Sequence, residues 1–328
     1  MRHSIPYFFL TISLFLLVSA TSCDRNQRRP GDIEFLRLER VMMDTPSDQI
    51  EAELAKFRDD FPSPLLTLLP DDSAFMAMVF DFRCDPTINS LDTAVKQRYN
   101  SMGAFERELT DALDRAMKLD NEIQFTHFAT FIGSSGYSSR VTADRQSQSL
   151  LIAIDQYTMP QMAKFNYFGD PLYIVRLSDS SYISSDCMAT IATEFIAMPE
   201  EPFSVLDLMI AEGKKHFFLE KTLTHTPDSI RFRYTKNQMD WMEANEKNVW
   251  SYLLQNKLLY ETDNMRYHNL VDDAPKTNSF GDESAPRTIE YIGWQIVKKY
   301  VKKTGVSMKE LFDETDSQKI LSQSHYRP

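Results

Sequence analysis

The chain has 328 residues, of which 42% are hydrophobic and 25% charged, with a formal net charge of −11. Those proportions exclude a disordered or collagen-like chain, and the length suits one large domain or two small ones. The acidic balance, with no long Lys/Arg run, excludes a nucleic-acid partner held through its phosphates.

Arg2 and the apolar run "PYFFLTISLFLLVSA" have the make-up of an export signal, and the run is shorter than the roughly 20 apolar residues that a membrane span needs. Ala20, Thr21 and Ser22 then lead into Cys23. A small-residue triplet before a cysteine resembles the bacterial lipobox, in which the thiol is diacylated and becomes the new N-terminus; the alternative is an ordinary cleaved signal that carries a cysteine. The expected organisation is a lipoprotein signal peptide over 1–22, a lipidated cysteine and polar tether over 23–31, and a single globular domain over 32–328. Cys84 and Cys187 then remain, too few for a disulfide framework, and with no CxxC pair a thiolate zinc site has no support.

Along the body, "IEFLRLERV" predicts a first strand. Ile50, Leu54, Phe57 and Phe61 fall at helical spacing until Pro62 and Pro64 end the pattern. Leu91 to Leu119 reads as a long helical stretch bent or broken at Gly103. "IQFTHFATFIGSS" and "SLLIAIDQYTMP" are short, rich in β-branched and aromatic residues and bounded by Gly, Ser and Asp, as strands of a small sheet would be. "PLYIVRLS" reads as a third extended piece. Beyond residue 184 helices dominate: Asp186 to Met198, one capped by Ser204 and Asp207, one capped by Thr235 and Gln238, and one with Ile289, Ile292, Ile296 and Tyr300 on a single face. Lys298, Lys299, Lys302 and Lys303 suit the negative end of that last helix, and Gly305 stops it. Ser307 and Glu310 cap a final short helix.

The chemistry-bearing residues lie on consecutive helices. A helix turns 100° per residue, so Val205, Met209, Glu212, His216 and Leu219 share a stripe. An acid and an imidazole one turn apart among apolar residues can share a proton, face one metal ion, or form a hydrogen-bonded pair at the edge of the core. Glu194 borders the apolar stripe of the preceding helix. Two successive helices with inward acids invite comparison with gluzincin metallopeptidases, which place HExxH on one helix and a glutamate ligand on the next. The frame around Glu194 reads Thr193-Glu194-Phe195-Ile196-Ala197, so both histidine positions are empty. His127, His225, His268 and His325 are scattered without ligand spacing. No GxSxG, Walker loop or dinucleotide fingerprint occurs.

From about Leu206 to Pro328 the chain resembles the gliding-motility lipoprotein family GldB, through "LDLMIAEGKKHFF", "YTKNQMDWMEANEKNVWSYLLQNKLLYETD", "IGWQIVKKYV" and the ending "ILSQSHYRP". The N-terminal half fits more loosely. Where the family usually has a Pro-Gly-Arg turn, this chain has Pro286-Arg287-Thr288. The family is in turn similar to predicted zinc peptidases with Glu-Gly on the second helix, as in Glu212-Gly213. The resemblance implies an α+β, mostly helical, zincin-like single domain with a small central sheet, whose zinc site has been lost and in which Glu194, Glu212 and His216 are vestigial. Gly213 is expected to admit a neighbouring helix carrying Gly293 and Trp294, since a mid-helix glycine costs about 1 kcal/mol against alanine and wants such a reason. The implied function is a lipid-anchored, non-catalytic envelope protein of the gliding and secretion machinery, facing the periplasm, held to the membrane by its N-terminal lipid and in contact with envelope protein partners, with no metal or other cofactor. An active zinc-dependent peptidase and a solute-binding lipoprotein using the former cleft are the alternatives.

Overall fold

The structure, a computed structural model, describes residues 32–66, 72–133, 139–158 and 171–328. The signal peptide, Cys23 and the tether expected over 1–31 lie outside the described residues. Helices dominate around a small mixed sheet, so the architecture is α+β.

The sheet has four strands: β1 (Phe35–Arg37), β2 (His127–Phe131), β3 (Val141–Asp144) and β4 (Ser149–Ala153), in the order β1-β2-β4-β3. β2 is parallel to both β1 and β4, while β3 and β4 form an antiparallel hairpin. Alternation along the strands divides the core. Phe35, Phe128, Leu150 and Ile152 enter the main cluster, whereas Ala129 and Leu151 point to a smaller one on the other face. That smaller cluster is closed by Leu38 and Met42 of α1 (Leu38–Asp44), Ile50, Leu54 and Phe57 of α2 (Ile50–Asp60) and Val79 of α3 (Asp72–Cys84). The long stretch anticipated over 91–119 is two helices, α4 (Pro86–Arg98) and α5 (Gly103–Leu119), separated by residues 99–102, with Gly103 opening the second. Asp85 caps α4 by accepting from the Thr87 and Ile88 amides.

Two expectations fail here. The first strand is three residues long, and "LERV" continues as helix because Leu38 and Met42, one turn apart, both bury against α2. "PLYIVRLS" is no strand. Pro171 accepts from the Ile174 and Val175 amides, at 2.8 and 3.1 Å, and starts the short helix α6 (Leu172–Val175), which runs into a 3-10 turn at Arg176–Ser178. β-branched residues suggested extension, but no neighbouring strand edge is paired with this segment. The third strand partner is β3, whose "VTAD" carries too few apolar residues to announce itself.

On the main-cluster side lie α7 (Ile183–Thr193), α8 (Val205–Thr222), α9 (Asp228–Arg231), α10 (Lys236–Gln255), α11 (Asn264–Val271), α12 (Thr288–Thr304), α13 (Met308–Asp313) and α14 (Ser317–Ser324). Reciprocal capping boxes open α8, α10 and α13 at Ser204/Asp207, Thr235/Gln238 and Ser307/Glu310. Gly305 ends α12 in the left-handed conformation, at φ +71°. α8 is the central helix, buried on nearly every side, and α12 crosses it. The crossing is a backbone contact: a Cβ on Gly213 would lie 2.3 Å from the Gly293 carbonyl, and one on Gly293 would lie 1.8 Å from the Met209 oxygen. The C-terminal tail packs onto α10. Tyr326 meets Trp250 edge-on at 5.1 Å and donates to Glu246 at 2.8 Å. Cys187 is buried and Cys84 exposed, both as free thiols.

Candidate functional site

The crossing of α8 and α12 brings three residues together. Glu212 and His216 come from α8 and Glu290 from the first turn of α12, and one ligand-type atom of each lies within 4.8 Å of the others. The direct partnerships differ from the pairing anticipated between Glu212 and His216. His216 Nε2 lies 3.1 Å from Glu290 Oε2, while Glu212 is in contact with the Lys215 ammonium. The i, i+4 spacing does place acid and imidazole side by side, but Lys215 and Glu290 stand closer to each than they stand to one another.

Glu290 is the hub. Its other oxygen accepts from Arg287 Nε at 3.1 Å, and the same guanidinium also donates to the Phe232 carbonyl at 2.7 Å and pairs with Asp273. Burial would raise the Glu290 carboxyl, yet Arg287, His216 and Lys215 outweigh it and hold the pKa at about 2. Burial lowers the His216 pKa, and the bond to Glu290 offsets this only in part. The imidazole is therefore neutral at pH 7, donating Nε2–H to the carboxylate; its Nδ1 is buried and has no partner among the described residues. The ring also stacks on Phe232, with centroids 3.9 Å apart. Trp294, one turn further along α12, donates to Glu220 at 2.9 Å and packs edge-on to Phe232 and Tyr291.

A cavity of about 560 Å³ opens beside this cluster. Arg140, Lys215, Arg231, Arg233 and Arg287 line it, together with His216. The facing carboxylates are Asp186, Glu194, Asp273 and Glu290. A second, more apolar pocket of about 320 Å³ adjoins it and shares Thr193, Lys215 and Glu290 as wall residues. Two of the cavity arginines, Arg233 (φ +57°) and Arg287 (φ +46°), sit in the left-handed region, at a cost of order 1 kcal/mol each. At 287 a glycine would adopt that conformation without penalty; the arginine is held there by its three sets of partners.

Glu194 does not join the cluster. The helix expected to run to Met198 ends at Thr193, and Glu194 is its exposed C-terminal cap residue. The five-residue frame 193–197 therefore straddles a helix end, and its two outer positions no longer lie one helical turn apart on a common face. His127 starts β2, His268 lies on α11 and His325 caps α14, all away from the crossing. The residues missed in sequence are Glu290, Arg287 and Lys215. The Arg287-x-x-Glu290 spacing before the apolar face of α12 was the available signal. Lys214 was missed as well: it is almost wholly buried, donates to the Glu314 carbonyl at 2.5 Å, and burial lowers its pKa to about 8.

Fold and site together define an α+β, predominantly helical protein with a charge-compensated cluster buried at a helix crossing, beside a polar cleft. A family model described as gliding motility protein GldB matches residues 22–328, and the chain belongs to that family. No curated protein and no solved structure shows a match.

Proposed function

We propose that this gliding-motility protein is lipid-anchored through Cys23, is non-catalytic, and serves the gliding and secretion machinery of the cell envelope as a degenerate zincin. The observation that carries the non-catalytic reading is the charge balance at the crossing. Glu212 and Glu290 bring two negative charges, Lys215 and Arg287 two positive ones, with Arg287 shared with Asp273, and His216 is neutral. The attraction of two carboxylates for a dication is opposed by two cations in contact with them, each unit of like charge at about 4 Å costing on the order of 4 kcal/mol at an effective dielectric near 20. The dehydration of the ion would then go uncompensated. The donor set fits a closed ion-pair network better than a zinc centre, and the frame around Glu194 supplies no imidazole to change that. Attachment through the N-terminus is supported by the apolar run and the Ala20-Thr21-Ser22-Cys23 junction; among the described residues no helix is long and apolar enough to cross a membrane.

The test is metal content and hydrolysis on the purified protein. We expect no stoichiometric zinc and no peptidase activity above background. One equivalent of zinc that disappears in Glu212→Gln and Glu290→Gln would overturn the proposal and restore the peptidase. Crosslinking from native membranes should recover envelope proteins of the motility machinery. A second reading, a solute-binding lipoprotein, draws support from the cleft itself, whose volume lies in the range of about 300–1,000 Å³ common to small-molecule sites.

A further inference from the structure

The cleft is more cationic than the protein around it. Five basic side chains face four carboxylates in its wall, on a chain whose formal net charge is −11. Most of the carboxylates are committed. Glu290 is held by Arg287 and His216, Asp273 by Arg287, and Asp186 accepts from the Tyr157 hydroxyl at 2.7 Å. The arginines are committed unevenly. Arg287 uses all three of its nitrogens. Arg233 donates no hydrogen bond from its side chain among the described residues, and its one ion pair, to Asp186, is 3.6 Å long. Arg231, only 8% exposed, pairs with Asp228 through one terminal nitrogen, and its buried Nε has no partner among the described residues. Buried or half-buried guanidinium groups are normally satisfied by partners in a fixed fork, because the unmade bonds are costly. Arg233 is in addition held in a left-handed backbone conformation in the cavity wall.

The adjoining pocket has the opposite character. Ile196, Met198, Leu208, Ala211, Val271 and Ile289 line it together with Glu212 and Glu290, and Lys215, paired with Glu212, borders both spaces. A polar cavity with under-used cations beside a short apolar pocket matches one kind of molecule.

We propose that the cleft binds a small organic anion, a carboxylate or phosphate bearing a short apolar group, with its head on Arg233 and its apolar part in the pocket around Ala211. This site stands independently of a role in gliding and of the absence of catalysis. The head group would supply the oxygen acceptors that the Arg233 guanidinium lacks, and the apolar group would exclude water from the smaller pocket.

The experiment is calorimetric titration of the full-length chain, kept in solution by a bulky detergent without alkyl chains, with hexanoate, hexyl phosphate, inorganic phosphate and hexanol. Both hexyl anions should bind one to one, with hexanol and inorganic phosphate each weaker by roughly tenfold or more. Arg233→Gln should weaken both anions by a similar roughly tenfold factor, while Arg233→Lys, which keeps the charge but loses the planar fork, should fall between the parent and Arg233→Gln. Ala211→Phe, which fills the apolar pocket, should erase the advantage of hexyl phosphate over phosphate. Melting curves of each variant verify that it is folded. Anions that bind no better than hexanol, or a folded Arg233→Gln protein that binds them as tightly as the parent, would overturn the proposal.

Discussion

The α8–α12 crossing is where packing and site chemistry meet, and Gly213→Ala tests both. The added Cβ would sit 2.3 Å from the carbonyl carbon and oxygen of Gly293, where ordinary contact begins at 3.4 Å. Both contacts are backbone atoms inside a helix, so no side chain can swing away, and the two axes must separate by about 1 Å. Overpacking of this kind costs about 2–4 kcal/mol at so rigid a contact, and the better helix propensity of alanine returns about 1 kcal/mol, leaving a net loss of about 1–3 kcal/mol. Gly293→Ala should be worse, because its Cβ would lie 1.8 Å from the Met209 oxygen. The double variant should cost less than the sum, since helices already parted for one methyl admit the second more cheaply. Separation also reaches the site: His216 lies three residues after Gly213 and Glu290 three before Gly293, so their 3.1 Å contact stretches with the crossing. Urea denaturation followed by circular dichroism gives the midpoints. A Gly213→Ala midpoint equal to or above that of the parent would show that propensity wins and that the contact is not close, and the reasoning about the crossing would fail with it.

Other consequences are as direct. Cys23→Ala should move the protein from the detergent phase to the aqueous phase on phase separation; unchanged partitioning would remove the lipid anchor. Glu290→Gln strands the buried Arg287, with Asp273 as its remaining carboxylate, and should destabilise by about 3 kcal/mol. The parent should also lose stability on acidification. His216 and Glu290 both have lowered pKa values in the folded chain, so the unfolded chain takes up protons first, from about pH 6.5 for the imidazole and from about 4.5 down to about 2 for the carboxyl. Glu290→Gln should flatten the acid limb of a plot of urea midpoint against pH, and a limb of unchanged steepness would refute the assignment. Truncation after Lys319 removes the buried Ile320 and Tyr326 and should lower stability by about 3–5 kcal/mol, read as a shift in melting temperature. Glu194→Ala, at an exposed helix end, should be nearly silent in the same assay.

How much of this was legible in the sequence depended on whether the signal was local. Ser204/Asp207, Thr235/Gln238 and Ser307/Glu310 are capping boxes whose partners lie three residues apart, so each helix start could be read from the letters alone. The same holds for Gly103 and for the Gly305 stop. The short pieces were harder. "LERV" and "PLYIVRLS" are each near one or two turns long, and in so short a run the periods 2 and 3.6 are not separable. What decided them was tertiary: α2 lay beside Leu38 and Met42, and Pro171 began a turn with no strand edge paired alongside. β3 was invisible for the opposite reason. A four-residue partner with one strongly apolar residue gains its strand state from the ladder to β4, which a linear reading does not contain.

The site was half legible for a related reason. The α8 stripe exposed Glu212 and His216 as anomalies because a single helix carries both, and the mid-helix glycine between them signalled a close neighbour. Their true partners could not be read that way. Glu290 is 74 residues from His216 in sequence and reaches it only because Gly213 and Gly293 let two backbones touch. Arg287 holds Glu290 from a left-handed position that a propensity argument would give to glycine, so its presence looked like the loss of a turn rather than the gain of a cation. With that cation and Lys215 in contact with them, the two acids take part in an ion-pair network, and the ligand-type atoms of Glu212, His216 and Glu290 still lie within 4.8 Å of one another. In the cleft beside it Arg233 donates no side-chain hydrogen bond among the described residues, and its ion pair to Asp186 is 3.6 Å long. A close helix crossing thus fixes the buried cluster and sets it in the wall of the adjoining cavity.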